Sequence, residues 1–113
     1  MHEMSLCESI VQIIEEQART AHFDAVRRVV LDIGALSAVD VAALRFCFDV
    51  VAAQGVARGA TLDIRTIPAT AWCMACAEVV DINRRDDVCP RCGSHQLVVE
   101  GGDDMRIKEL EVD

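Results

Sequence analysis

An α+β fold is predicted for this chain: a small mixed sheet of about three strands packed with two helices, plus an inserted zinc-ribbon module. Three observations predict it. Two serine-led capping signatures each open onto an apolar stripe at helical spacing, and each stripe is followed by a short alternating segment. Two Cys-x2-Cys turns then interrupt the pattern before a last strand-like segment.

The first helix is predicted to start at Ser5, where Ser5-x-x-Glu8 forms a capping box, and to fade near Thr20–His22. Leu6, Ile10, Ile13 and Ile14 fall at helical spacing, with Cys7, Val11 and Ala18 widening the face. Arg27–Ile33 reads as a strand with Val29, Leu31 and Ile33 on one face and Val30 and Asp32 on the other, ended by Gly34. Ser37-x-x-Asp40 opens a second helix to about Ala53 with a buried stripe of Leu44, Cys47, Phe48 and Val51. Gly55 is placed to terminate it, and Gly59 permits the turn into a strand over Thr61–Ile67 that Pro68 closes. Residues 69–103 form the cysteine module. In the last ten residues Met105 and Ile107 share one phase while Leu110 and Val112 share the other, which a bulge near Lys108-Glu109 reconciles. A free tail has little reason to carry four apolar residues, so this strand is expected to return to the main sheet. The chain then divides into 1–68 with 104–113 as one domain and 69–103 as an insertion.

The chain has 113 residues, 52% of them hydrophobic and only 4% aromatic, so Val, Ile, Leu and Ala must fill most of the core. No apolar run approaches the length of a membrane span and no secretory leader is visible, so the expected location is cytoplasmic. Net charge is −8. Nucleic-acid binding needs a basic face, and the one basic pair, Arg84-Arg85, is followed at once by Asp86-Asp87. Cationic partners suit the charge better.

Cys73-Met74-Ala75-Cys76 and Cys89-Pro90-Arg91-Cys92 are separated by twelve residues. Each turn offers two sulfurs, and the intervening segment is long enough to return as a hairpin, which closes a four-sulfur tetrahedron around one metal ion, most often zinc. Rubredoxin-like iron sites use similar turns among aromatic residues, but only Trp72 is near. A redox dithiol needs one Cys-x2-Cys in a thioredoxin-like setting. Structural zinc is preferred. Gly93 suits a left-handed position after the second turn, where the first turn carries Ala77. Cys7 and Cys47 read as inert core thiols. His22 reads as a surface residue, and His95 as an exposed loop histidine rather than a substitute ligand.

Met1-His2-Glu3 is a second candidate. A histidine at position two can chelate through the terminal amine, its own deprotonated amide and Nδ1, closing five- and six-membered rings around Ni(II) or Cu(II). Glu3 can add its amide or carboxylate, and the bulk of His2 protects the initiator Met from removal. From these residues alone a charged terminus with an incidental histidine is the stronger reading. Asp40 likewise reads first as the partner of Ser37 in a capping box. No Ser/His/Asp set, phosphate loop or carboxylate pair points to an enzyme.

Taken in order, several segments resemble one family over essentially the whole chain. They are Met1-His2-Glu3, Asp32-Ile33-Gly34-Ala35-Leu36-Ser37, Phe46-x-Phe48, Gly59-Ala60-x-Leu62-x-Ile64, the late Cys-x2-Cys pair and Met105–Glu111. The chain looks like the HypA/HybF hydrogenase nickel-incorporation proteins. That resemblance implies a nickel metallochaperone and not an enzyme. Ni(II) is its transported ion, held by the Met1 amine, His2 and Glu3, with Asp40 as an extra ligand. Zn(II) is its structural ion, held by Cys73, Cys76, Cys89 and Cys92. Implied partners are the maturation GTPase HypB, the [NiFe]-hydrogenase large subunit and urease maturation proteins, with the chain a monomer or weak homodimer. Departures fall at Ala77 and at Gly101-Gly102-Asp103-Asp104, where only turn geometry is at stake. The competing reading is a zinc-ribbon adaptor that binds protein without transferring nickel.

Overall fold

The computed structural model of the chain describes residues 3–113. The element order is α1 (Glu3–Ala21), β1 (Val26–Gly34), α2 (Val41–Ala52), β2 (Thr61–Ile67), β3 (Ala69–Cys73), β4 (Glu78–Ile82), β5 (Leu97–Glu100) and β6 (Met105–Val112). The strands form two three-stranded sheets, ordered β2-β1-β6 and β4-β3-β5. As expected, β6 returns to the first sheet, and the cysteine module is inserted between two of that sheet's strands. No described helix is long and apolar enough to cross a membrane.

Helix α1 is already formed at Glu3, so Ser5 lies inside it and does not cap it. The earlier start has a tertiary reason: the Glu3 carboxylate (Oε2) accepts the backbone N–H of Asp40 at 3.1 Å. Cys7, Ile10, Ile14 and Ala18 are its buried stripe, while Ile13 is exposed. At its C-terminal end His22 takes φ +58° and the Phe23 N–H donates to the Ala18 carbonyl at 3.2 Å, a left-handed closure usually given to glycine.

Helix α2 packs on α1 through Leu44, Phe48 and Ala52. Its N-cap is Asp40 and not Ser37: Asp40 is extended (φ −79°, ψ 108°), and its Oδ1 accepts the Ala43 N–H at 3.1 Å. Either residue can cap a helix. The Glu3 contact, invisible in a local motif, fixes which does. Cys47 and Val51 are only half-buried, and Phe46 points to solvent. Gly55 does not close the helix in a left-handed turn. It makes room for the Glu15 carboxylate, which accepts the Val56 N–H at 2.9 Å.

The chain separates into two compact units. The first comprises the chain up to Leu31, Val39–Ile64 and Ile107–Asp113; the second comprises Asp32–Ala38 and Arg65–Arg106. In the first, the helices bury their stripes with Val29, Val30, Leu31 and Leu62. Along β6, Ile107 and Leu110 are half-buried while Lys108 and Glu109 between them are both exposed, so the phase changes where expected, but Val112, expected to share Leu110's phase, is exposed.

In the second unit Asp32 is buried, β1 being the central strand of its sheet. Its charge is matched by Arg65 Nε at 3.6 Å and Arg106 Nε at 3.5 Å. Just beyond, the backbone is tightly laced. Gly34 N–H donates to the Asp104 carbonyl at 2.7 Å, Ala35 N–H to that of Ile67 at 2.8 Å, and Leu36 N–H to that of Gly102 at 2.7 Å. The sheet of this unit is antiparallel, β3 pairing with β4 on one side and β5 on the other. Its inner face gathers Ala69, Ala71, Cys73, Val80, Ile82 and Cys89 into one small core. Arg84 Nε lies 3.4 Å from Asp86, while Asp87 accepts the backbone N–H groups of Asn83 and Arg84.

Candidate metal centre

Two turns of the same construction face one another in the second unit. In the first, the Ala77 N–H donates to the Cys73 carbonyl at 2.8 Å; in the second, the Gly93 N–H donates to the Cys89 carbonyl at 2.8 Å. Both closing residues are left-handed, Ala77 at φ +55° and Gly93 at φ +75°. Alanine therefore adopts the geometry that glycine adopts freely, at a conformational cost of about 1 kcal/mol. Inside each loop a backbone N–H points at the leading sulfur: Cys76 N–H to Cys73 Sγ and Arg91 N–H to Cys89 Sγ, both at 3.4 Å. Cys73 is held at the end of β3, and Cys89 is anchored by its N–H to the Ser94 carbonyl at 2.9 Å. Arg91 pairs with Glu78 at the start of β4, tying the second turn to the hairpin that the first turn closes.

This construction brings all four sulfurs within 4.8 Å of one another. Cys73 and Cys92 Sγ are 3.7 Å apart, and Cys76 and Cys89 Sγ are 3.9 Å apart. A tetrahedral ion bonded to sulfur at about 2.3 Å requires sulfur–sulfur edges of about 3.8 Å. The spacing fits such an ion, and it is far beyond the roughly 2.05 Å of a disulfide. Without an ion the thiols share protons unequally. The Cys92 thiol contact, then burial, pushes Cys76 up to about 12. Burial opposes ionisation of Cys89, but the backbone N–H groups of Cys92 and Arg91 outweigh it and bring the thiol down to about 7. Cys89 is thus poised to ionise, and a metal ion binding the thiolates would displace thiol protons to solvent.

His95 is exposed and is not part of this sulfur set. The remaining thiols do not join it either. Cys7 is fully buried, its Sγ donates to the Leu44 carbonyl at 3.3 Å, and burial raises it to about 11, as expected of an inert core thiol.

The chain is 57% identical over its full length, and over the full length of the relative, to the hydrogenase maturation factor HypA of a Bradyrhizobium species. It is 54% identical to the HypA of Rhodopseudomonas palustris, again with both chains fully covered. Residues 1–112 match the family described as hydrogenase/urease nickel incorporation, metallochaperone, HypA. The chain belongs to the HypA family. Its fold agrees with the solution structure of the Ni metallochaperone HypA from Helicobacter pylori, at TM-score 0.70 and 31% identity, covering 99% of this chain and 97% of that one. A second HypA solution structure matches at TM-score 0.71 and 32% identity, covering 99% and 96% of the two chains.

Within this HypA-family chain, the described members of the other group singled out by sequence, Glu3 and Asp40, lie in the first unit. Met1 and His2 fall outside the described residues. Glu3 and Asp40 are described and adjacent, joined by the Asp40 N–H. That amide, and Glu3's own, hold the Glu3 carboxyl below the ordinary carboxylate range. No local motif carries the adjacency of Glu3 and Asp40, 37 positions apart; only the family resemblance grouped the two.

Proposed function

We propose that this chain carries Ni(II) on its N-terminus and delivers it during maturation of [NiFe]-hydrogenase, with a structural zinc at Cys73, Cys76, Cys89 and Cys92. The reading is carried by one observation: the match to the nickel-incorporation family covers a chain that opens Met1-His2-Glu3. The Met1 amine, the His2 amide and His2 Nδ1 supply three nitrogens in one plane, Glu3 completes the set, and Asp40, held beside Glu3, is the extra ligand. The nickel end occupies 1–68 with 104–113, and the zinc module 69–103. Partners are the maturation GTPase HypB, the hydrogenase large subunit and urease maturation proteins in the cytoplasm, met by a monomer or weak homodimer.

Ligand chemistry sets how such a carrier works. The planar nitrogen chelate favours Ni(II) over Zn(II) by geometry, while copper binds more tightly still, so exclusion of copper rests on supply and partner contact. The chelate needs a deprotonated amide and a neutral imidazole, so affinity falls as pH drops and release is favoured by acid. Zinc, when bound, cross-links the two cysteine turns and so stabilises the module's fold.

Titrating Ni(II) into zinc-loaded protein tests the reading. Tight one-to-one binding is expected, weakened at least about a hundredfold by His2→Ala or by one residue added before Met1. Equal binding in all three proteins would place nickel elsewhere. No binding in any would leave the adaptor reading. Asp40 has two separable roles. Asp40→Ala removes the α2 cap and is expected to cost about 1 kcal/mol in thermal denaturation. Asp40→Asn keeps the cap, so a drop in nickel affinity in that variant with an unchanged melting temperature marks a ligand. Unchanged affinity reduces Asp40 to its cap.

A further inference from the structure

The sheet of the second unit has an outer face that nothing among the described residues of that unit covers. The β3 register places Trp72 opposite Val79 on β4 and opposite Val98 on β5. These three side chains form one apolar row across all three strands, and they are 39%, 56% and 52% exposed. Single exposed valines are ordinary, but an unbroken row centred on the only tryptophan of the chain is not. The next row on the same face is Asp81–Thr70–Glu100, so two exposed carboxylates flank the apolar row on one side. The two rows are about 7 Å apart, and each row spans about 10 Å across the strands.

We infer that this face docks a basic amphipathic helix of a protein partner, apolar side chains on Val79–Trp72–Val98 and lysines or arginines on Asp81 and Glu100. The width of the row matches a helix diameter of roughly 10 Å. The acidic flank supplies the charge complementarity that selects a basic helix and repels an acidic one. Trp72 is the anchor, since a large rigid side chain gains most from being covered. Met74, two residues beyond Trp72 and also exposed, adds an adaptable neighbour at the same end of the strand. This surface is independent of which ion the N-terminus carries.

Trp72 reports on its own environment. A synthetic helix with a leucine seam bordered by lysines is titrated into the zinc-loaded full chain, and tryptophan emission is followed. Saturation at one peptide per chain with a shift to shorter wavelength is expected. The same helix with glutamates for lysines is expected to bind at least tenfold more weakly. Asp81→Asn with Glu100→Gln, and separately Val79→Ser with Val98→Ser, are each expected to weaken binding at least tenfold. Glu16→Gln with Asp49→Asn, an equal change of charge on exposed helix positions, should stay within twofold.

Zinc content and nickel titration are run on every variant, so loss of the fold or of the nickel site is read apart from loss of docking. The inference is overturned if Trp72 emission does not move, if the glutamate helix binds equally, or if the Glu16/Asp49 pair weakens binding as much. Concentration-dependent self-association that Val79→Ser with Val98→Ser abolishes overturns it too, by assigning the face to a second copy of the chain.

Discussion

Cys89→Ala is expected to empty the four-sulfur site and unfold the cysteine module while the two helices persist. Binding of a structural zinc by thiolates contributes on the order of 10–16 kcal/mol, comparable to the whole stability of a typical domain of about 5–15 kcal/mol. What remains without the ion is small. The buried cluster of this unit is Ala69, Ala71, Cys73, Val80, Ile82 and Cys89, so two of its six members belong to the four-sulfur set and two more are alanines. Valine and isoleucine burial at about 2 kcal/mol each does not offset the ordering of some thirty residues at about 1 kcal/mol or more each. Removing Cys89 also leaves Cys73, fully buried, in an incomplete three-sulfur set. Metal analysis should show no retained zinc, and hydrogen exchange should show the β3–β4 and β3–β5 ladders deprotected. Helical circular dichroism should be largely kept. Cys47→Ala is the control, because Cys47 lies on α2 outside the sulfur set, and it should retain one zinc. A Cys89→Ala protein that kept its zinc and its ladder protection would sink the account.

How much of this was legible depends on whether the cause is local. The two Cys-x2-Cys turns could be read because turn spacing alone brings two sulfurs together, and the structure adds that Ala77 and Gly93 close both in the same way. The strand Thr61–Ile67 was bounded correctly by Gly59 and Pro68, residues whose backbone constraints act on their immediate neighbours. Misreadings came where a distant residue decides. Ser37 and Asp40 are equally competent caps, and Glu3, far away in sequence, selects Asp40. The sequence assigned Asp32 a strand face but not its buried ion pairs, because Arg65 and Arg106 arrive beside it from the flanking strands. The apolar row across Val79, Trp72 and Val98 was not visible either, since it exists only once the register of three short strands is known. Gly34 does end β1 as read, but its close approach to Gly102 likewise exists only in the folded chain.

Gly34→Ala is expected to destabilise the second unit by about 3 kcal/mol, near the upper end of the overpacking range. A Cβ at this position would collide with the carbonyl group of Gly102 and crowd the N of Asp103. Those atoms are backbone, so no rotamer change can relieve the contact. Nor can Gly102 withdraw cheaply. It sits at φ +89°, its own missing Cβ would meet Ala69, and its carbonyl accepts the Leu36 N–H at 2.7 Å. Moving it breaks that bond, strains the neighbouring Gly34 N–H to Asp104 carbonyl bond, and pushes on the first residue of β3. In thermal denaturation a domain of this size should lose roughly 10 °C or more. Gly59→Ala separates space from conformation. Gly59 has φ +74°, but nothing lies within 4 Å of the place an alanine methyl would take, so only the left-handed penalty applies. That penalty is about 1 kcal/mol. The expected order is therefore Gly34→Ala worse than Gly59→Ala, the reverse of what φ alone dictates. Equal or inverted losses would show that the strand-end backbone has slack, and that the close approach of Gly34 to Gly102 does not set the cost.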